Sequence, residues 1–392
     1  GRSHQEESGN RAAMVRPSLM VVSCLPYIAA FPAGLALPNT TCMKESANIG
    51  SERRSVSSIS MLAKPDRRSF HSSAAGRAPE KIALIGDLHG NLAHAKALWN
   101  IIKAKVGNER FQAVFLGDYV DRGPDPRGVI DWLISLKKEA EASQQDGPDE
   151  HAEPVLQATC SSVRFLVGNH DLAMGLFLGL YPVDASKAAA TWKRADGSVS
   201  FEAKRSEALW KGEGGGEEAV RDGMHLQGLR WGGSEEGGGA RNAFQAAPTF
   251  ASYGVPHGDR AALLRALPPS HLEFLKGLEA FVEVPLSRAH LPYTSLLAIH
   301  AGLEMPGEAA RERKDGRAPT VREQLEELRD WSALSLPWIE QLQGRENTLR
   351  APPELAQEGT LVVSGHHGRL DLEDEWRWII DSGDTRRASP LS

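Results

Sequence analysis

Short apolar segments alternate with amphipathic segments from Lys81 onward in this chain. The apolar segments are five or six residues long, which is typical of buried strands. Because helical patterns separate several of them, they indicate a largely parallel sheet covered on both faces. Six strands are predicted: Lys81–Gly86, Gln112–Gly117, Val163–Gly168, Ser295–Ile299, Thr360–Ser364 and Trp376–Asp381.

Amphipathic helices are predicted between these strands. Residues Leu92–Lys105 place apolar side chains on one face at helical spacing. Residues Pro126–Ala140 begin with a proline at the first helical position, and Asp125 before it is a suitable N-cap. The segment Val321–Gln343 has a similar apolar spacing, and Pro337 would break or kink it.

A glycine-rich insertion interrupts the alternating pattern between residues 184 and 247. Residues 211–240 contain eleven glycines, and glycine weakens both helices and strands. We expect a loop-rich segment here, with a more structured patch at His225–Trp231. The pattern predicts one catalytic domain over residues 78–392 that carries this insertion.

Residues 1–77 are predicted to be a targeting or disordered leader. Arg16 precedes an apolar run, Leu19–Leu37, which resembles the core of a signal peptide. The arginine- and serine-rich residues after this run are typical of an organellar transit peptide. The combination favours a plastid or mitochondrial location, with a cytoplasmic protein as the alternative. A disordered tail or an incorrectly assigned gene start would give the same composition.

Charge separates the leader from the rest of the chain. The leader carries a net charge of +5 and the remainder carries −11. An acidic body argues against a nucleic-acid partner, which would require clustered lysines and arginines. Pro26 and Pro32 interrupt the apolar run, which argues against a membrane-spanning helix. We therefore expect neither a nucleic-acid nor a membrane partner, and the oligomeric state stays open.

Cysteine usage excludes two further kinds of chemistry. Cys24 and Cys42 lie in the leader, which leaves Cys160 alone in the body. A single thiol cannot form a disulfide framework, which fits a reducing compartment. The cysteine-dependent tyrosine phosphatases need an arginine six positions after the cysteine, and Leu166 stands there. Cys160 is therefore expected to be structural.

Five short motifs follow predicted strands, and each contains residue types that bind metal ions. Open α/β sheets bind ligands at the carboxyl ends of their strands, so we expect the motifs to meet at one edge. Mixed oxygen and imidazole donors suit Mn, Fe or Zn better than Ca. The motifs are GDLHG at Gly86–Gly90, GDYVDRG at Gly117–Gly123, GNHD at Gly168–Asp171, HAG at His300–Gly302 and SGHH at Ser364–His367.

Together the motifs supply ligands for two metal ions. Asp118 ends the second predicted strand and can bridge both ions. Two ions about 3.5–4 Å apart would lower the pKa of a shared water toward ~7 and clamp phosphoryl oxygens. The predicted ligands are Asp87 and His89 for the first ion, Asp118 for both, and Asn169, His300 and His366 for the second.

Three further motif residues have predicted catalytic roles. His170, beside the predicted ligand Asn169, is the natural general acid for the leaving oxygen. Asp121 could orient its imidazole and stabilise the charged form. Arg122 is a phosphate clamp, because its planar guanidinium matches two phosphate oxygens at once.

Several residues also have structural interpretations. A strand-end aspartate often forms a turn or caps a helix, although the joint pattern of the motifs argues against this for the predicted ligands. His366 is preferred to His367 because it directly follows the strand and a glycine. His225 and His257 are equally compatible with structural roles. Arg230 could contact substrate, or lie solvated in the insertion.

The motif set resembles the calcineurin-like metallophosphoesterases, and within them the phosphoprotein phosphatase group, from about Glu80 to Asp381. The resemblance implies an α/β fold in which a sandwich of two sheets is flanked by helices, with the active site at the carboxyl ends of the strands. Two departures are visible. GNHD ends in Asp171 where the group has glutamate, and the Ser-Ala-Pro-Asn-Tyr segment of eukaryotic serine/threonine phosphatases is absent.

A narrower resemblance is to the Rhizobiales-like phosphatases, a bacterial-like branch of that group. It is carried by the segments Gly117–Leu136, Trp210–Gly214, Met224–Trp231, Thr249–Gly258 and Val362–Leu370. Plant members of this branch are phosphotyrosine-directed. The resemblance therefore implies a protein tyrosine phosphatase that uses metals rather than a cysteine.

These patterns favour a metal-dependent protein phosphatase that hydrolyses phosphomonoesters through attack of a metal-bridging hydroxide on phosphorus. The expected partner is a phosphorylated protein, with phosphotyrosine as the preferred residue. A dinucleoside-polyphosphate hydrolase is the alternative, because it shares the core motifs. An inactive phosphate-binding scaffold ranks lower, because it predicts missing ligands and none of the motif ligands is missing.

Overall fold

The computed structural model describes the motif-bearing region and three short strands that precede it. The boundary at residue 78 and most of the insertion fall outside the described residues, so those divisions stay predictions. The described residues are 19–22, 28–31, 59–62, 81–145, 158–181, 226–233, 244–286, 292–305, 317, 319–329 and 340–381.

Within these residues, eleven strands form two sheets. Five of the six predicted strands match the observed ones within two residues at both ends. The sixth, Thr159–Phe165, begins four residues and ends three residues before the predicted Val163–Gly168. The strands are β1 Leu19–Val22, β2 Ile28–Phe31, β3 Ile59–Leu62, β4 Lys81–Ile85, β5 Arg110–Phe115, β6 Thr159–Phe165, β7 Phe281–Pro285, β8 Ser295–Ile299, β9 Thr360–Ser364, β10 Leu370–Asp371 and β11 Arg377–Ile380.

Both sheets have a parallel centre with antiparallel additions. The first has the order β2-β1-β3-β4-β5-β6, with β4, β5 and β6 parallel and β3 antiparallel to β4. The second has the order β10-β11-β9-β8-β7, with β8, β9 and β11 parallel and the two edge strands antiparallel. The predicted parallel arrangement is confirmed for both centres. Strands β1–β3 lie in the segment predicted to be a leader, and the sequence pattern did not anticipate their pairing.

Alternate side chains of β4 enter two different apolar clusters. Ile82 and Leu84 belong to a cluster that also contains Leu296 of β8 and Val363 of β9, which joins the two sheets face to face. Ala83 and Ile85 belong to the other cluster, which includes helical side chains. Because successive side chains of a strand point to opposite faces, β4 is apolar throughout. The predicted two-layer α/β sandwich is confirmed.

Helices follow the strands of the first sheet and cover it. Trp99 of the first helix packs on Phe115 of β5 with ring centroids 6.0 Å apart. Asp125 caps the second helix as predicted, accepting a hydrogen bond from Gly128 N at 2.8 Å. The helices are α1 Leu92–Val106, α2 Pro126–Gln145, α3 Asn169–Leu178, α4 Leu226–Gly232, α5 Ala247–Ser252, α6 Arg260–Ala266, α7 Pro269–Lys276, α8 Val321–Arg329, α9 Glu340–Gln343 and α10 Pro353–Gln357.

The segment predicted to be helical over Val321–Gln343 contains α8 and α9, and Pro337 lies outside the described residues. Helices α3, α5 to α7 and α10 and strands β7 and β10 were not predicted. In the part of the chain that the structure describes, no helix is long and apolar enough to cross a membrane.

Helix α4 lies inside the insertion, where glycine content predicted mainly loops. A Cβ on Gly228 would lie 2.6 Å from the backbone nitrogen of Phe177 in α3. Glycine at this position therefore permits α3 and α4 to approach closely. Here glycine serves helix packing, which composition alone could not reveal.

This close approach predicts an effect opposite to helix propensity. Propensity alone would make Gly228→Ala stabilising by about 1 kcal/mol. Overpacking against α3 should instead lower the free energy of unfolding by ~1–3 kcal/mol, measured by denaturant titration. Gly277→Ala is the control, because its Cβ would come no closer than 3.2 Å to any neighbour. Equal shifts in the two variants would contradict the packing argument.

Candidate metal centre

The five motifs meet at the edge where β4, β5 and β6 of one sheet and β8 and β9 of the other come to an end. Backbone hydrogen bonds tie neighbouring motifs together. His89 N donates to the carbonyl of Asp118 at 2.8 Å, and Gly365 N donates to the carbonyl of His300 at 3.0 Å. Parallel strands bring their carboxyl ends to the same side, so the polar residues that follow them converge.

Left-handed backbone conformations are concentrated at this edge. A non-glycine residue in this region is strained by ~1–3 kcal/mol and persists only where its surroundings hold it. Five of the six such residues in the described chain are predicted site residues, and the carbonyl of the sixth, Gln245, accepts from Arg122 N at 3.1 Å. The six are His89, Asp118, Asp121, Arg122, Gln245 and His366.

Two groups of potential ligand atoms share the carboxylate of Asp118. One group contains His89, Asp118 and His170, and the other contains Asp118, His300 and His366. Within each group the ligand atoms lie within 4.8 Å of one another. Two ions bridged by one carboxylate would require this arrangement. The first group includes His170, for which the sequence predicted an acid rather than a ligand.

The two remaining predicted ligands lie beside these groups. Asp87 Oδ2 is 3.7 Å from His89 Nε2, and Asp87 Oδ1 accepts from His366 N at 3.1 Å. A Cβ on Gly365 would lie 2.2 Å from Asp87 Oδ1, so only glycine leaves room for this carboxylate. Asn169 Oδ1 is 2.9 Å from His366 Nδ1 and 3.2 Å from His300 Nε2.

Two imidazoles at the centre are held neutral by their surroundings. Burial lowers the pKa of His89 well below its usual value, and the charge of Arg122 lowers it further. Burial likewise lowers the pKa of His366. The buried Nε2 of His366 has no hydrogen-bond partner. A neutral imidazole nitrogen is a metal ligand, so this unsatisfied atom fits a cation at the second group.

The carboxylates of the centre call for compensating positive charge. Burial raises the pKa of Asp87 well above its usual value, and the nearby Asp381 and Asp118 raise it further. Burial also opposes ionisation of Asp118, but His300 and His170 hold its pKa well below the usual range. Burial works against a charged His300, yet Asp118 raises its pKa to about 9. Metal cations between these groups would supply the positive charge.

His170 lies between Asp121 and Arg122. Its Nδ1 is 2.7 Å from Asp121 Oδ2, and Arg122 Nη2 is 3.1 Å from its Nε2. Burial raises the pKa of Asp121 to about 8 and lowers the pKa of His170 to about 3. The 2.7 Å contact joins the two groups in one hydrogen bond, so the protonation of each depends on that of the other.

Asp171, which stands where the resembling group has glutamate, anchors backbone next to the site. It is fully buried, and its Oδ2 accepts from Asp118 N at 2.7 Å and Gly168 N at 3.0 Å. Its Oδ1 accepts from Tyr119 N at 2.9 Å. These bonds fix the backbone that carries the shared carboxylate, so Asp171 supports the site from behind.

Arg345 is a second arginine at the centre, which the sequence analysis missed. Its Nη1 donates to the carbonyl of His366 at 2.5 Å. It is exposed, and its charge contributes to the lowered pKa of both His366 and His170. No motif surrounds Arg345, so only its position in space identifies it.

The residues with open roles fall outside the two ligand groups. His367 Nε2 is 2.7 Å from the carbonyl oxygen of Ala301. The ring of His257 packs edge-on against Phe250 with centroids 4.8 Å apart. Arg230 is partly buried on α4, and His225 lies outside the described residues.

Comparisons with known proteins indicate the class of chemistry. The sequence model of the family described as calcineurin-like phosphoesterase matches residues 80–285, more than half of the chain. A Caenorhabditis elegans protein named as a candidate serine/threonine-protein phosphatase is 42% identical over 57 residues. That match covers 14% of this chain and 12% of the relative, so the chain matches only a small part of its length.

Two solved structures are similar at low sequence identity. A candidate diadenosine tetraphosphatase is 14% identical with a TM-score of 0.30, over 77% of this chain and 82% of that chain. A point mutant of a cold-active protein tyrosine phosphatase is 12% identical with a TM-score of 0.34, over 85% and 88%. Neither similarity is strong enough to bear on the substrate.

The three hydrogen bonds to Asp171 predict that Asp171→Ala weakens both the fold and the site. Each buried N–H left without an acceptor costs ~1–3 kcal/mol. The free energy of unfolding should fall by at least that amount, and metal content after purification should fall because the Asp118 backbone is released. Glu139→Ala, at an exposed position of α2, should change neither quantity. An Asp171→Ala protein with unchanged stability and metal content would contradict this role.

Proposed function

Because this chain belongs to the calcineurin-like phosphoesterase family, its reaction class is phosphoester hydrolysis, and we propose that it is a protein phosphatase with a dinuclear metal centre. The observation that carries the proposal is the pair of ligand groups that share Asp118, one of which contains His170, with two arginines beside them. Shared carboxylates, a proton donor and cations are the parts that hydrolysis of a phosphomonoester requires.

The six predicted ligands fit a pair of ions such as Mn, Fe or Zn, because they combine carboxylate, amide and imidazole donors. Ions held there would activate a water molecule and neutralise phosphoryl oxygens. In this proposal Asp118 would be a ligand of both ions. Asp87 and His89 would be the other ligands of one ion, and Asn169, His300 and His366 the other ligands of the second ion.

The guanidinium of Arg122 is placed to bind the substrate phosphoryl group. Its Nη1 is 2.9 Å from His89 Nε2 and its Nη2 is 3.1 Å from His170 Nε2, so it lies between the predicted ligand and the predicted acid. Its buried Nε has no hydrogen-bond partner. A planar guanidinium binds two phosphoryl oxygens at once. Arg345 adds a second cation on the side of His366.

His170 is the proposed general acid. As the P–O bond to the leaving group breaks, the leaving oxygen keeps the electron pair and takes a proton from His170 Nε2. Asp121 holds the opposite nitrogen of the ring at 2.7 Å, which orients Nε2 toward the site. The hydrogen bond to Asp121 therefore fixes the ring orientation from which His170 donates its proton.

The proposed substrate class is a phosphotyrosyl protein. Support comes from the segments that resemble the Rhizobiales-like phosphatases, among them Thr249–Gly258 and Val362–Leu370. The second of these segments contains His366, so the resemblance includes the site itself. A phosphorylated protein is therefore the proposed partner.

A substrate panel tests this preference. With Mn present, phosphotyrosyl peptides should be hydrolysed with a higher kcat/KM than phosphoseryl or phosphothreonyl peptides of the same sequence. A dinucleoside tetraphosphate should be a poor substrate. Preference for the tetraphosphate would favour the polyphosphate hydrolase, and binding of phosphate without turnover of any ester would favour an inactive scaffold.

Asp118→Asn tests the shared ligand. An amide keeps the size of the side chain but removes the charge that bridges two cations. We expect loss of both bound metals by elemental analysis and loss of turnover by at least ~1,000-fold, since no other described carboxylate belongs to both groups. Asp374→Asn, on the surface, should retain both. An active but metal-free Asp118→Asn protein would refute the dinuclear proposal.

A further inference from the structure

Asp121 receives side-chain donors from three different helices. Besides His170 of α3, Trp231 Nε1 of α4 donates to Oδ2 at 2.8 Å. Thr249 Oγ1 of α5 donates to Oδ1 at 2.6 Å. All four residues are buried, with Asp121 and Thr249 fully so. Neither Trp231 nor Thr249 belongs to any of the five motifs.

The chemistry of these donors fixes the direction of each hydrogen bond. An indole nitrogen can only donate, so Asp121 Oδ2 must accept from Trp231. The hydroxyl of Thr249 accepts from Asp121 N at 2.9 Å, which leaves its single hydrogen for Asp121 Oδ1. Both oxygens of Asp121 therefore accept hydrogen bonds, and Oδ2 also lies 2.7 Å from His170 Nδ1.

Packing makes this arrangement rigid. The Trp231 ring lies 4.9 Å from the ring of Phe250 and 5.3 Å from that of Phe177, measured between centroids. Helix α4 approaches α3 closely enough to require glycine at position 228. The two donors therefore belong to a packed aromatic cluster rather than to a mobile surface.

The same segment also supports strained backbone next to the site. Asp121 has φ 71° and Arg122 has φ 62°. Thr249 Oγ1 accepts from the N–H of the first, and the carbonyl of Gln245 accepts from the N–H of the second. Residues 245–249 thus hold the backbones of Asp121 and Arg122 in conformations that cost ~1–3 kcal/mol each.

We propose that Trp231 and Thr249 are positioning residues that hold Asp121 against His170 Nδ1, so that His170 Nε2 stays aimed at the leaving oxygen of the substrate. This inference rests on the proposed function. In the step it concerns, the oxygen of water forms a bond to phosphorus while the bond to the leaving oxygen breaks. The leaving oxygen takes the proton of His170 Nε2, and the proton that water releases reaches solvent, from which His170 is reprotonated.

The test compares substrates that differ in their need for that proton. Phenyl phosphate releases a phenolate with a pKa near that of tyrosine, about 10, whereas a nitrophenyl phosphate releases a much weaker base. A positioning role predicts that Trp231→Phe and Thr249→Val lower kcat for phenyl phosphate by about 10- to 100-fold, against a few-fold for nitrophenyl phosphate. KM should change little for either substrate.

Matched variants separate positioning from packing. Thr249→Ser keeps the hydroxyl and should restore kcat for phenyl phosphate. Phe250→Leu disturbs the ring packed on Trp231 but removes no donor, so any loss it causes should be equal for the two substrates. In an Asp121→Asn background, Trp231→Phe should add no further difference between the substrates, because the acceptor is already altered.

Equal losses on both substrates in Trp231→Phe and Thr249→Val would overturn the inference and leave the proposed function intact. Failure of the unmodified, metal-loaded protein to hydrolyse any phosphomonoester would overturn the proposed function instead. If Trp231→Phe does not fold, the Thr249→Val and Thr249→Ser pair decides the inference alone, since valine has the shape of threonine without its hydroxyl and serine keeps the hydroxyl.

Discussion

The buried negative charge of Asp118 is the constraint on which the rest of the site depends. Only 2% of this residue is exposed, and an ionised carboxylate out of water must be paired or bind cations. His89, His170 and His300 lie within 3.4–3.9 Å of its oxygens. Of these three imidazoles only His300 has a raised pKa, about 9, and so carries compensating positive charge. The proposed ions would supply the rest.

The backbone around Asp118 is built to keep that charge in place. Its own amide is held by Asp171, and its carbonyl accepts from both Leu88 and His89. Such bonds stabilise a left-handed residue that would otherwise relax. The same principle recurs at Asp121 and Arg122, where residues distant in sequence hold strained backbone. Several residues around the centre therefore have strained backbone, and each is held by hydrogen bonds from other parts of the chain.

The sequence predicted the parts of the protein that depend on local pattern. Strands β8 and β9 have continuous apolar centres and were predicted residue for residue, and the motifs marked the residues that converge. Strand β7 was missed because its exposed Glu283 and its proline break the apolar pattern. The bonds from Trp231 and Thr249 to Asp121 span more than a hundred residues. No periodicity encodes such contacts, and only packing reveals them.

The two sheets contribute unequally to the two groups of ligands. His89, Asp118 and His170 all follow strands of the first sheet, whereas His300 and His366 follow strands of the second. An ion in the second group would therefore cross-link the two layers of the sandwich, much as a covalent bridge would. The free energy of binding that ion would then also stabilise the contact between the two sheets. Packing between the sheets, by residues such as Leu84 and Val363, would then be coupled to metal affinity, although neither residue belongs to a ligand group.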